Sequence, residues 1–118
     1  MIYIVDDDRE FAECIAKMVQ AFSQTETRIF SNGIEAISAM NKELPDLIFL
    51  DILLNGPDGF TFLNELMSYN DTERIPVVIM SSLRFEQRRL EDYGVVAILD
   101  KMEMVPGDVK AVVEKYVK

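Results

Sequence analysis

A three-layer α/β/α sandwich, a parallel sheet covered by helices on both faces, is the fold class this sequence predicts. Strand-like and helix-like patterns alternate five times along 118 residues without an intervening linker, and right-handed helical crossovers between parallel strands are the default for that order. Several of the strand-like runs, Leu47 to Leu50 above all, are apolar at every position, as in strands buried on both faces. Polar side chains then gather where the runs stop, at the end of the sheet where α/β folds hold their ligands.

The elements follow in order. Ile2 to Val5 is a short strand halted by Asp6, Asp7 and Asp8. Phe11, Ile15, Met18, Val19 and Phe22 recur at helical spacing and mark one apolar face. Thr27 to Phe30 carries β-branched residues and makes a second strand. Asn32 with Glu35 looks like a capping box before a helix carrying Ile34, Ile37 and Met40. The third strand, Leu47 to Leu50, ends on Asp51, and turn residues Asn55, Gly56 and Pro57 precede Asp58 and Gly59, which can start a helix. Phe60, Leu63 and Met67 mark that helix's apolar face. Pro76 opens a fourth strand, Val77 to Met80, a position where proline is tolerated. Leu83 to Tyr93 reads as a helix stopped by Gly94, Val95 to Leu99 as the fifth strand, and Val105, Val109, Val112 and Tyr116 as the stripe of a final helix.

Composition narrows the function classes. A net charge of −9 argues against nucleic-acid backbones and anionic membranes as main partners. No apolar run approaches the ~18–20 residues of a membrane span, and the first residues lack a basic signal-peptide start. Cys14 is the one cysteine, which excludes an internal disulfide and fits a reducing cytoplasm; its expected place is buried or at the core boundary. With no histidine in the chain, Ser-His-Asp and Cys-His catalysis and a zinc site of ordinary composition are all excluded.

What remains sits at strand ends: Asp6 and Asp7 after the first, Asp51 at the third, Ser81 after the fourth and Lys101 after the fifth. If the first and third strands are neighbours, three carboxylates share one crevice. Their mutual repulsion and burial call for a cation. A hard divalent ion such as Mg²⁺ suits one or two carboxylates, waters and phosphate oxygens. Lys101 adds a point charge and Ser81 a hydroxyl donor. Asp8, by contrast, reads as a helix cap, and Asp46 and Asp100 as solvated surface acids.

With those residues in those places, the chain resembles the response-regulator receiver domains of two-component systems, and is similar over its whole length to the single-domain chemotaxis regulator. The resemblance implies a flavodoxin-like (βα)5 fold with sheet order 2-1-3-4-5, a family example that also illustrates the general rule for such sheets, and one receiver domain over residues 1–118. It implies that Asp51 accepts a phosphoryl group from a kinase phosphohistidine. Asp6 and Asp7 would match the acidic pair that holds Mg²⁺, with the Leu53 carbonyl as a further ligand. Ser81 and Lys101 would match the hydroxyl and ammonium that bind the phosphoryl group. Implied partners are a sensor histidine kinase or histidine phosphotransfer protein, and a downstream effector meeting the helix at 83–93, the fifth strand and the final helix. No direct nucleic-acid or membrane contact is implied. The domain would be no enzyme beyond catalysing its own phosphorylation and dephosphorylation.

Three positions depart from the family pattern: Met102 where proline follows the lysine, Asn55 where proline follows the phosphoacceptor, and Ile98 where an aromatic switch residue is common. Ile98 has few χ1 options and cannot make a large aromatic swing, so a response is expected in residues 82 to 85 instead. Leu53 and Leu83 occupy places where family members tune hydrolysis, and neither side chain orients water, which implies a long-lived phosphorylated form. Arg84, Arg88 and Arg89 make a basic spot, read as a solvated face ahead of a docking patch. Other readings are weaker. A haloacid-dehalogenase-like phosphatase needs an acid where Leu53 stands, and an FMN module needs a hydroxyl-rich loop where Asp6, Asp7 and Asp8 would repel phosphate. A pseudo-receiver, binding partners without phosphorylation, is the alternative that keeps the fold.

Overall fold

Apolar residues at nearly every position of the central strands leave the sheet no solvated face, so both faces must be covered. The computed structural model describes residues 1–52, 59–82 and 94–117. Its strands are β1 (Ile2–Val5), β2 (Thr27–Phe30), β3 (Leu47–Asp51), β4 (Val77–Ser81) and β5 (Val95–Asp100). The helices are α1 (Arg9–Gln20), α2 (Gly33–Met40), α3 (Gly59–Met67) and α4 (Pro106–Tyr116). The helix expected over 83–93, with Arg84, Arg88 and Arg89, lies outside the described residues, as do the turn residues Asn55, Gly56, Pro57 and Asp58.

All pairings are parallel and the sheet order is β2-β1-β3-β4-β5, the expected one. Side chains alternate along each strand, and two cores result. Tyr3, Val5, Ile48, Leu50 and Ile79 face α2 and α3 through Ala36, Met40, Phe62, Leu63 and Leu66. Ile2, Ile4, Leu47, Phe49, Val78 and Met80 face α1 and α4 through Ala12, Ile15, Ala16, Val19, Val109 and Val113. Each fully buried Ile, Leu or Phe contributes about 1.5–3 kcal/mol, so the central strands hold most of the stabilisation.

Two helical faces turn out rotated from the expected ones. In α2 the buried stripe is Gly33, Ala36 and Met40, and Ile34 is 65% exposed. A Cβ on Gly33 would lie 3.3 Å from the Phe62 ring, so the small residues, not Ile34, let α2 close against α3. In α3 the stripe is Gly59, Phe62, Leu63 and Leu66, while Phe60 and Met67 are exposed. Gly59 sets that rotation: its missing Cβ would stand 2.6 Å from the Ile52 Cα. In α4 the expected stripe holds, with Val109 buried and Val112 and Tyr116 packed against the core; Val113 joins it, and only Val105 is exposed, ahead of the helix. Cys14 also differs from expectation: it is exposed, because it falls off the stripe formed by Ala12, Ile15, Ala16 and Val19.

The helix starts behave as their residues suggest. Asp8 Oδ1 accepts the Phe11 N–H at 3.1 Å, and Asn32 Oδ1 accepts the Glu35 N–H at 2.9 Å, one arm of the expected box. Pro106 takes the first turn of α4, and the Asp108 carboxylate accepts the Val105 N–H. Gly94 adopts φ +79°, a conformation that favours glycine, and its carbonyl accepts the Val77 N–H.

Candidate active site at the carboxyl end of the sheet

Register decides which side chains meet. β1 and β3 are neighbours and pair Val5 with Leu50, so the next residues, Asp6 and Asp51, leave the sheet side by side. Both are buried, and with the half-buried Asp7 they offer carboxylate oxygens that all lie within 4.8 Å of one another. Ser81 ends β4 one step past the Asp51–Met80 pair and is buried. Its carbonyl accepts the Lys101 N–H at 2.9 Å, which carries the β4–β5 pairing one residue further and sets Lys101 beside it.

The Lys101 side chain then turns over the crevice. Its Nζ donates to Asp6 Oδ2 at 2.9 Å and to Asp51 Oδ2 at 3.2 Å. The side chain is only 16% exposed, so water screens these contacts poorly. Asp6 keeps its second oxygen for the Asp8 N–H, at 2.9 Å. Burial pushes the Asp6 carboxyl above the ordinary aspartate value; Lys101 and the Asp8 N–H pull it back in part, and the Asp51 charge pushes it up again. Burial pulls the Lys101 ammonium down, but its bond to Asp6 and the charges of Asp6 and Asp51 outweigh that and hold it above the ordinary lysine value.

One ammonium does not balance three carboxylates. Two unit charges at this spacing repel by ~3–4 kcal/mol at an effective dielectric near 20, so the arrangement favours a further cation. The donors are hard oxygens, two of them on buried side chains, a set that suits Mg²⁺ better than a softer metal.

Of the residues singled out from sequence, Asp6, Asp7, Asp51 and Lys101 come together, and Ser81 stands at the neighbouring strand end. Leu53 and Leu83 lie outside the described residues. Asp8 caps α1 as expected. Asp46 accepts the Met1 ammonium at 2.6 Å, and Asp100 accepts the Met102 N–H at 2.8 Å within a turn, both away from the carboxylate cluster's chemistry. Ile98 is half-buried against the α2–α3 core. Met102 is 82% exposed.

Sequence reasoning missed one neighbour of the site. Phe11 reads as part of the α1 core stripe, yet its ring centroid lies 4.5 Å from Lys101 Nζ. The available signal was its place in the first turn, directly after a cap that itself follows Asp6 and Asp7.

Comparison with known proteins agrees with this architecture. The family model described as the response regulator receiver domain matches residues 2–112. The transcriptional regulatory protein BaeR of Escherichia coli is 33% identical over 89 residues, which cover 75% of this chain and 35% of BaeR. A protein-glutamate methylesterase/protein-glutamine glutaminase of Rhodospirillum rubrum is 34% identical over 82 residues, covering 70% of this chain and 21% of the relative. The chain thus spans only about a fifth to a third of these relatives. Among solved structures, the receiver domain of NtrX from Brucella abortus superposes with a TM-score of 0.85 at 25% identity, covering 99% of this chain and 98% of that one.

Proposed function

The chain belongs to the response regulator receiver domain family, and from that premise we propose that Asp51 is its phosphoacceptor. The observation that carries this reading is the shared ammonium: Lys101 bonds Asp6 and Asp51 together, with Asp7 within reach of both. The receiver unit takes in residues 1–118, and its signalling role is that of a phosphoryl acceptor.

The reaction is a transfer from a phosphohistidine donor to a carboxylate acceptor. An Asp51 carboxylate oxygen forms a bond to the phosphorus of a phosphohistidine, the P–N bond breaks, and its electron pair returns to the imidazole. Such transfers depend mainly on positioning and on stabilising charge. Lys101 already points its donors at Asp51, and it binds an oxygen of the incoming group. Ser81, from the adjacent strand end, binds another through its hydroxyl. Asp6, Asp7, Asp51 and the Leu53 carbonyl would hold Mg²⁺, which when bound supplies positive charge for the phosphoryl oxygens. The chain catalyses its own phosphorylation and hydrolysis and turns over no other substrate. Its partners are a sensor histidine kinase or histidine phosphotransfer protein on the input side, and an effector protein or domain on the output side. Among the described residues no helix is long and apolar enough to cross a membrane; a cytoplasmic setting fits the kinase partner.

Incubation with acetyl phosphate and Mg²⁺, followed by intact-mass measurement, tests the proposal. One added phosphoryl group is expected, absent in Asp51→Asn. Labelling of Asp51→Asn at the wild-type rate would remove Asp51 from its role.

A further inference from the structure

The proposed reaction makes use of the carboxylates, Ser81 and Lys101, and leaves the ring against Lys101 without a task. Phe11 closes a circuit of contacts around the lysine. Asp6 Oδ1 accepts the Asp8 N–H at 2.9 Å, Asp8 Oδ1 accepts the Phe11 N–H at 3.1 Å, the Phe11 ring lies 4.5 Å from Lys101 Nζ, and Nζ returns to Asp6 Oδ2 at 2.9 Å. The cap of α1 therefore does more than start a helix: it fixes the residue that meets the ammonium.

A lysine head on a four-carbon stem has three rotatable donors and is easily drawn out to water. Two of those donors are engaged, by Asp6 and Asp51. An aromatic face within about 6 Å attracts the charge through its quadrupole without accepting a conventional hydrogen bond. It steadies the ammonium and leaves the third donor for an arriving oxygen. We propose that Phe11 is a positioning residue, whose ring face holds the Lys101 ammonium over the Asp6–Asp51 pair in the orientation that receives the phosphoryl group. The proposal rests on the phosphoacceptor reading for its consequence, but not for the placement of the lysine.

Phe11 also packs against the α1–α4 core, so the test must separate ring face from bulk. Phe11→Leu keeps an apolar side chain and removes the quadrupole; Phe11→Tyr keeps the ring; Phe11→Met replaces the leucine variant should its melting curve show loss of the fold. Two readouts apply. In NMR spectra the Lys101 ε-protons should be shifted upfield by the ring in wild type and Phe11→Tyr, and should return to ordinary lysine values in Phe11→Leu. Labelling by acetyl phosphate at saturating Mg²⁺ should slow by about threefold to thirtyfold in Phe11→Leu, the span of a cation–π contact, and stay within about twofold of wild type in Phe11→Tyr. Unshifted ε-protons in wild type, or equal labelling of Phe11→Leu and wild type, would overturn the proposal. If wild type itself is not labelled, the phosphoacceptor reading fails; the proton shifts then still decide whether Phe11 holds the lysine.

Discussion

The two ends of the sheet handle charge in opposite ways. At the amino end, the Met1 ammonium meets Asp46 at 2.6 Å, one cation for one carboxylate, and the Asp46 side chain is 58% exposed. At the carboxyl end, Lys101 divides itself between Asp6 and Asp51, whose side chains are 0% and 8% exposed, and Asp7 adds a third carboxylate. An exposed pair contributes ~0–1 kcal/mol and could be lost with little consequence. A buried cluster with excess charge costs stability in the resting protein. Its presence marks the end of the sheet where binding and chemistry offset that cost, a trade common at functional sites.

The contrast can be broken most severely at Asp51. Asp51→Asn should reduce phosphoryl incorporation more than 100-fold, on the order of a lost reacting group, as intact-mass labelling would show, with the circular-dichroism spectrum unchanged. Retained labelling would move the chemistry elsewhere in the crevice.

Next in size is Lys101→Ala. It leaves Asp6 and Asp51 buried without their ammonium, so unfolding in urea without metal should show a loss of about 3 kcal/mol. Added Mg²⁺ should recover part of it; a variant as stable as wild type would mean the cluster is not under charge strain.

Asp6→Asn sharpens the comparison by running the other way. The folded Asp6 carboxyl stands above its unfolded value of about 3.9, so the native state binds that proton more tightly than the unfolded chain. Its favourable contribution is full below pH ~4 and is lost as pH rises through the folded value. At neutral pH the charged Asp6 is a net cost, and Asp6→Asn should raise metal-free stability by about 1 kcal/mol, a gain that vanishes towards pH 3. Lys101 titrates far away: its folded value lies above about 10.4, so its contribution is complete at neutral pH and is lost only as pH rises through that folded value. Thermal melts from pH 3 to 8 would separate the two groups, and a loss of stability in Asp6→Asn at pH 7 would contradict the assignment.

The smallest expected effect belongs to the amino end. Asp46→Asn should change stability by less than about 1 kcal/mol and shrink further in salt. An effect as large as that of Lys101→Ala would erase the distinction between the two ends.

Much of this was legible before any coordinates. Strand apolarity determined the buried parallel sheet, because runs such as Leu47 to Leu50 have no polar side to show to water. Strand endings determined which polar residues lie at the carboxyl edge, because a chain that crosses back by helices returns every strand in the same direction. Asp8 as cap follows from chain-local hydrogen bonding. Tertiary structure decided the rest. Ile34, Phe60 and Met67 fit a helical period, but period alone does not set rotation. Gly33 and Gly59 set it through close approach to Phe62 and Ile52, contacts that exist only once the helices have docked. The same limit hid Phe11. Its spacing says which side of α1 it shares, and only the docking of α1 at the end of β1, where the Lys101 side chain reaches Asp6, brings its ring to the ammonium of Lys101, ninety residues further along the chain.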